Sequence, residues 1–286
     1  MTDDAGPSLT GAPLLIVFTD LDGTLFDSET YSWQKAGEAL DLCRQHRVPV
    51  ILASSKTRAE MEILRDRMAL SDPFISENGG GIFLPLTPGE VPPLEAEPDG
   101  NLWKVVQGTP YTQLPAALKE IGKELGYTVT GFADVDIDQI ASLTGLDIQM
   151  ARLAAQREFD EPFVIHSPAH PDLNALRRAA QKRGLMITQG GRFFHLHGRT
   201  DKGRAMEQII AYYRQTHPKV ISMALGDSPN DFPMLERADV PVLVRSKRDF
   251  PDLLERMPAL VITRHEGPRG WNEAVLNFLE SRSEQE

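Results

Sequence analysis

The sequence predicts an α/β protein whose parallel-sheet core domain is interrupted by an inserted α+β cap domain. Two observations carry this. In residues 14–88, and again after 199, apolar runs of strand length alternate with segments of helical periodicity. Between them the pattern breaks. Residues 87–100, "TPGEVPPLEAEPDG", hold four prolines and four acids with little periodicity, a loop composition. The boundaries that follow are a loose polar tail over 1–13, core segments over 14–88 and 199–286, and a cap over 89–198.

Each element has its own signal. "LLIVFT" (14–19) is a continuous apolar strand, and Trp33, Ala36, Leu40 and Cys43 mark a helix around 32–46. "VPVILAS" (48–54) is a second strand, and Thr57 with Glu60 forms a capping box opening a helix to about Leu70. "PFISENGGGIFLPL" (73–86) reads as a strand, a glycine turn and a returning strand. In the cap, a strand at 103–107, a helix near 112–126 and a helical stretch across 136–159 precede a strand at 162–167. A helix over 171–183 and paired strands 185–189 and 192–197 about Gly190-Gly191 complete it. The core then resumes with helix 202–214, strand 220–227, helix 230–237, strand 240–244 and a last helix over 271–281.

The chain has 286 residues, 41% hydrophobic and 25% charged, as in ordinary globular proteins. A formal charge of −11 argues against a nucleic-acid or anionic-membrane partner, which would call for a basic surface. The single cysteine, Cys43, excludes an intrachain disulfide and reads as a core thiol. No apolar run is long enough to span a bilayer, and the acidic start lacks the basic and apolar parts of a secretory signal, so a cytoplasmic location is expected. Monomer and homodimer stay open.

"VFTDLDGTLFDS" (17–28) drives a buried strand into three acids, Asp20, Asp22 and Asp27. Crowded carboxylates raise one another's pKa and need a compensating cation or proton. Asp20 ends the first strand, Ser54 the second and Asp227 the strand 220–227, and Asp231 follows in "GDSPND". In an open parallel sheet these strand ends converge on one edge. Clustered carboxylates suit a hard divalent cation such as Mg²⁺, which keeps open positions for phosphate oxygens and water. Lys202 among acids makes sense with an anionic guest.

"DLDGT", Ser54, Lys202 and "GDSPND" together resemble, in order, the four motifs of the haloacid dehalogenase-like superfamily of phosphatases. The likeness covers nearly the whole chain and implies a Rossmann-like core with a Cof-type (IIB) cap, "SENGG" (76–80) being similar to the turn before it. "ASSKTRAEM" (53–61), "GDSPNDFPML" (226–235) and "GPRGWNEA" (267–274) resemble the mannosyl-3-phosphoglycerate phosphatase family, with Arg269 where an acid is expected.

The resemblance implies Asp20 as nucleophile, Asp22 as general acid and base, and Ser54 and Lys202 as partners of the phosphoryl group. Mg²⁺ would be held by Asp20, the Asp22 carbonyl and Asp227, with Asp231 as ligand or orienter. The expected substrate is a small phosphorylated sugar-glycerate, mannosyl-3-phosphoglycerate first. Its glucosyl counterpart, another sugar phosphate or a phosphomutase reaction is the alternative. Residues expected to face it are Ser55, Lys56, Asn78, Gly79 and Asn230 of the motif loops and, in the cap, Arg157, His195, His197 and Arg199. Alternation places Phe193, His195 and His197 on one strand face and Phe194 and Leu196 on the other.

Overall fold

The computed structural model describes residues 13–86, 95–167, 169–190 and 192–283. All but the last residue of the expected tail, and positions 87–94 of the expected loop, lie outside them. The core strands are β1 (Leu14–Thr19), β2 (Val50–Ala53), β3 (Phe74–Ser76), β4 (Gly81–Pro85), β5 (Glu97–Asp99) and β6 (Leu102–Val106). Helices α1 (Gly37–Gln45) and α2 (Arg58–Arg67) alternate with the first of these. The cap follows with α3 (Leu114–Leu125), β7 (Thr128–Gly131), α4 (Ile137–Thr144), α5 (Ile148–Ala154), β8 (Asp160–Ser167), α6 (Leu173–Lys182), β9 (Met186–Gln189) and β10 (Phe194–His197). The core resumes with α7 (Lys202–Tyr213), β11 (Val220–Gly226), α8 (Phe232–Leu235), β12 (Val240–Arg245), α9 (Pro251–Arg256), β13 (Val261–Glu266) and α10 (Gly267–Ser283).

Among the described residues the core sheet has nine strands in the order β13-β12-β11-β1-β2-β3-β4-β6-β5. The six strands from β13 to β3 are parallel, and β4, β6 and β5 extend the sheet antiparallel. β1 is apolar up to its last residue, Thr19, because both its faces are covered. Leu15 and Val17 join one apolar cluster with Trp271 of α10, while Ile16 and Phe18 join the other with Met206 and Ile209 of α7. The second sheet, β7-β8-β10-β9, is wholly antiparallel. It packs Phe163 and Leu196 against Leu118 of α3 and Leu176 of α6.

Two expectations change. Strands β5 and β6 belong to the core sheet, so the chain leaves it after Val106 and not at 89. The helical stretch across 136–159 is two short helices, each with its own aspartate N-cap, Asp136 and Asp147. The outgoing and returning segments of the cap run side by side. A Cβ on Gly198 would stand 2.7 Å from the Thr109 nitrogen, and one on Gly108 would stand 2.9 Å from the Gly80 Cα. Only glycine permits that approach.

Candidate active site

Parallel pairing of β1 with β11 and β2 sets their carboxyl ends level. Asp20 leaves β1 as its amide donates to the Leu225 carbonyl of β11 (2.9 Å), which brings it beside Asp227. Asp20, Asp227 and Asp231 each offer an oxygen within 4.8 Å of the others. Lys202, the first residue of α7, is completely buried and donates to Asp20 Oδ1 and Asp231 Oδ1, both at 2.6 Å. The other Asp231 oxygen accepts from the Asp227 and Ser228 amides (3.1 and 3.0 Å). Both its oxygens are therefore engaged in hydrogen bonds within the site.

Asp22 sits apart from this cluster, half-exposed, with Oδ2 2.8 Å from the buried Lys56 ammonium. Asp27 does not join it. Its carboxylate accepts from the Thr30 and Glu29 amides, which hold its pKa below the usual carboxylate range, and it closes a turn.

Burial first, and then Asp231, raise the pKa of Asp20 well above normal, with Lys202 acting against them. Asp227 is pushed up to about 7 by burial and by Asp231. Burial works against the charge on Lys202, but Asp20 and Asp231 outweigh it and keep the ammonium. Among the described residues the ion pairs of Asp20, Asp22, Asp227 and Asp231 are with Lys202 and Lys56, which leaves an excess of two formal negative charges. All-oxygen donors with that excess fit a hard divalent cation.

Asp20, Asp22 and Asp227 line the floor of a cavity of about 470 Å³ that runs up to the cap. Ser55, Lys56 and Asn230 line it, and Arg157 and His195 line its cap end. Ser54 lies buried behind this wall, its hydroxyl accepting from the Lys56 amide (3.2 Å). Arg157 forms no surface ion pair with its acidic neighbours. It donates to the Ser55 carbonyl (2.7 Å) and stacks over Phe132 at 5.4 Å, so it ties the cap to the second motif loop.

Of the residues expected to face the substrate, four are not on the cavity wall. His197 is fully buried, bonded to Thr188 Oγ1 (3.1 Å) and the Gly198 carbonyl (2.9 Å). It lies two positions beyond His195, at the end of β10. Arg199 is exposed at the returning segment, where its carbonyl accepts from Arg204. Gly79 accepts from Thr200 Oγ1 through its carbonyl (2.7 Å) and is a backbone junction. The Asn78 amide is spent between Asp160 and Asn230.

Sequence reasoning missed three groups. Phe132 and Phe193 meet edge-on at 5.4 Å in the cavity wall, and Phe193 could have been found from its place on the His195 face. Arg245 at the end of β12 and Lys247 and Arg248 just beyond it rim the cavity, and a basic run at the end of a strand at the same sheet edge was the signal. Asp160, wholly buried against His195, had no signal beyond being an acid at a strand start.

The sequence pattern of the haloacid dehalogenase-like hydrolases matches residues 17–88 and 173–249. A glucosyl-3-phosphoglycerate/mannosyl-3-phosphoglycerate phosphatase of Methanococcoides burtonii is 41% identical over 273 residues, 92% of this chain and 97% of the relative. A protein of the same name from Persephonella marina is 32% identical over 268 residues, 93% and 97% of the two chains. The solved structure of a haloacid dehalogenase subclass IIB sugar phosphatase superposes with a TM-score of 0.63 at 16% identity, covering 92% of this chain and 98% of that one, a likeness of fold. With four motifs at one sheet edge, a cap over them and relatives matched nearly end to end, the chain belongs to the haloacid dehalogenase-like hydrolase family.

Proposed function

We propose that this hydrolase removes the phosphoryl group from a glycosyl-3-phosphoglycerate, mannosyl or glucosyl, leaving the glycosylglycerate and phosphate. Its class, phosphoric monoester hydrolase, is that of both curated relatives. The observation that carries the substrate is the shape of the cavity. Its volume of about 470 Å³ suits a small molecule longer than a phosphate. Its floor holds the acid cluster, while its far end offers Arg157, His195 and the Phe132–Phe193 pair, the groups that a carboxylate, hydroxyls and a sugar face would use.

In this reading an Asp20 carboxylate oxygen attacks phosphorus as the ester P–O bond breaks, and Asp22 protonates the departing glycerate oxygen. A water then attacks the aspartyl-phosphate, Asp22 takes its proton, and Asp20 returns as a carboxylate with release of phosphate. Lys202 favours the ionised form of Asp20 against burial and Asp231, and holds one of its oxygens, Oδ1, in place. Asp20 and Asp227, with the Asp22 carbonyl, would hold Mg²⁺, and Asp231 would orient them. When bound, the metal neutralises phosphoryl oxygens and carboxylates alike.

The test is phosphate release from mannosyl- and glucosyl-3-phosphoglycerate, 3-phosphoglycerate, hexose phosphates and an aryl phosphate, in chelator and in Mg²⁺. The glycosyl-glycerates should lead by about tenfold or more in kcat/KM, as expected if one charged contact distinguishes them. Chelator should stop every reaction. Turnover of hexose phosphates with none of the glycosyl-glycerates would overturn the substrate, and full activity in chelator would overturn the metal.

A further inference from the structure

The acid that anchors His195 is buried far more deeply than a surface reader of sugars requires. Asp160 is wholly buried at the start of β8. Its Oδ2 accepts from His195 Nδ1 (2.9 Å) and from Asn78 Nδ2 (2.8 Å). Asn78 Oδ1 in turn accepts from Asn230 Nδ2 (3.1 Å), and Asn230 Oδ1 from the hydroxyl of Ser228, next to Asp227 (2.6 Å). One chain of hydrogen bonds thus runs from the acid cluster to the cap end of the cavity. The core also holds its far end in place. The Glu77 carboxylate accepts the amides of Glu158 and Phe159, the two residues before Asp160.

We propose that Asp160 is a positioning residue. It fixes the ring of His195 toward the non-phosphoryl part of the substrate and does so in register with the phosphoryl end, through Asn78 and Asn230. An ionised carboxylate only accepts, so His195 Nδ1 must carry a proton whatever the charge of the ring. The orientation of the ring and the role of Nε2 follow from that. Among the described residues no hydrogen bond occupies Nε2, and His195 lines the cavity. Burial works against the Asp160 charge, but His195 and Arg157 outweigh it and hold its pKa low. A carboxylate removed from water this completely is costly unless its partners use it. The identity of the substrate here rests on the proposed function; the positioning role does not.

The experiment compares Asp160→Asn with wild type on the better glycosyl-3-phosphoglycerate and on an aryl phosphate too short to reach His195, and repeats the change in a His195→Ala background. Asp160→Asn should lower kcat/KM for the glycosyl substrate about 10- to 100-fold, with a loss on the aryl phosphate at least about fivefold smaller. In the His195→Ala background it should cost nothing more. Equal losses on both substrates, or an undiminished loss without His195, would overturn the proposal. Should Asp160→Asn fail to fold, Asn78→Gly breaks the chain one link earlier, at a position of φ +58° that glycine adopts freely. The same dependence on His195 decides it. If wild type hydrolyses another sugar phosphate and neither glycosyl-glycerate, the substrate reading fails and the comparison is made on that sugar phosphate.

Discussion

Asp20 and Asp22 are two residues apart in sequence and live in different environments. Asp20 is buried, locked to Lys202 and crowded by Asp231 and Asp227, whereas Asp22 is half-exposed and paired with Lys56. In the proposed mechanism the first attacks from one fixed position and the second carries the proton. Asp22→Asn should therefore lower kcat on the glycosyl substrate by about 10²–10⁴-fold, and less on an aryl phosphate whose leaving group needs no proton. Asp20→Asn should abolish turnover of both. Steady-state rates on the two substrates check this, and an active Asp20→Asn enzyme would remove Asp20 as nucleophile. These acids were legible because each follows an apolar run that could only be a strand. His197 was misplaced because alternation assigns a face but not how far along it the cavity reaches.

Among the elements, α2 shows how local chemistry and tertiary contact meet. Thr57 caps it by accepting from the Glu60 amide (3.2 Å), and Glu60 returns a bond to the Thr57 amide (2.9 Å). The Thr57 hydroxyl also reaches the Leu153 carbonyl of α5 (2.9 Å), so the capping residue of a core helix touches the cap. Thr57→Ala should cost about 1–2 kcal/mol of unfolding free energy in urea, at the upper end for a lost N-cap. A loss well below that would mean that water replaces the hydroxyl at both partners. The capping box was plain in the sequence, since it needs only residues three apart. The pairing of β6 with β4 and of β5 with β6 was not, because a three-residue strand reading "EPD" carries no periodicity and its partner is chosen by the sheet edge. β13, "VITRHE", was missed for a similar reason, its side chains being mostly exposed.

At the scale of the molecule, acids buried at the core–cap junction and within the cap link stability to pH. Burial pushes Glu77 and Glu161 up to about 7, Glu161 while accepting from Tyr111 Oη (2.6 Å) and the Ala133 amide (3.1 Å). Their folded pKa lies above the unfolded value of 4.5, so the folded state holds the extra protons between the two. Stability from these groups is therefore lost as pH rises through that window. Glutamine at position 161 keeps the shape and can donate to Tyr111. Glu161→Gln should gain on wild type by about 1–3 kcal/mol between pH 5 and pH 8. Urea unfolding of both proteins at the two pH values measures it, and a difference flat with pH would contradict it. The side-by-side crossing at Gly108 and Gly198 bears on the same boundary. Because the cap's two ends enter and leave at one point, the core path closes on itself there as a loop would. Above that crossing the chain can run long or short without changing which strand lies beside which in the sheet below.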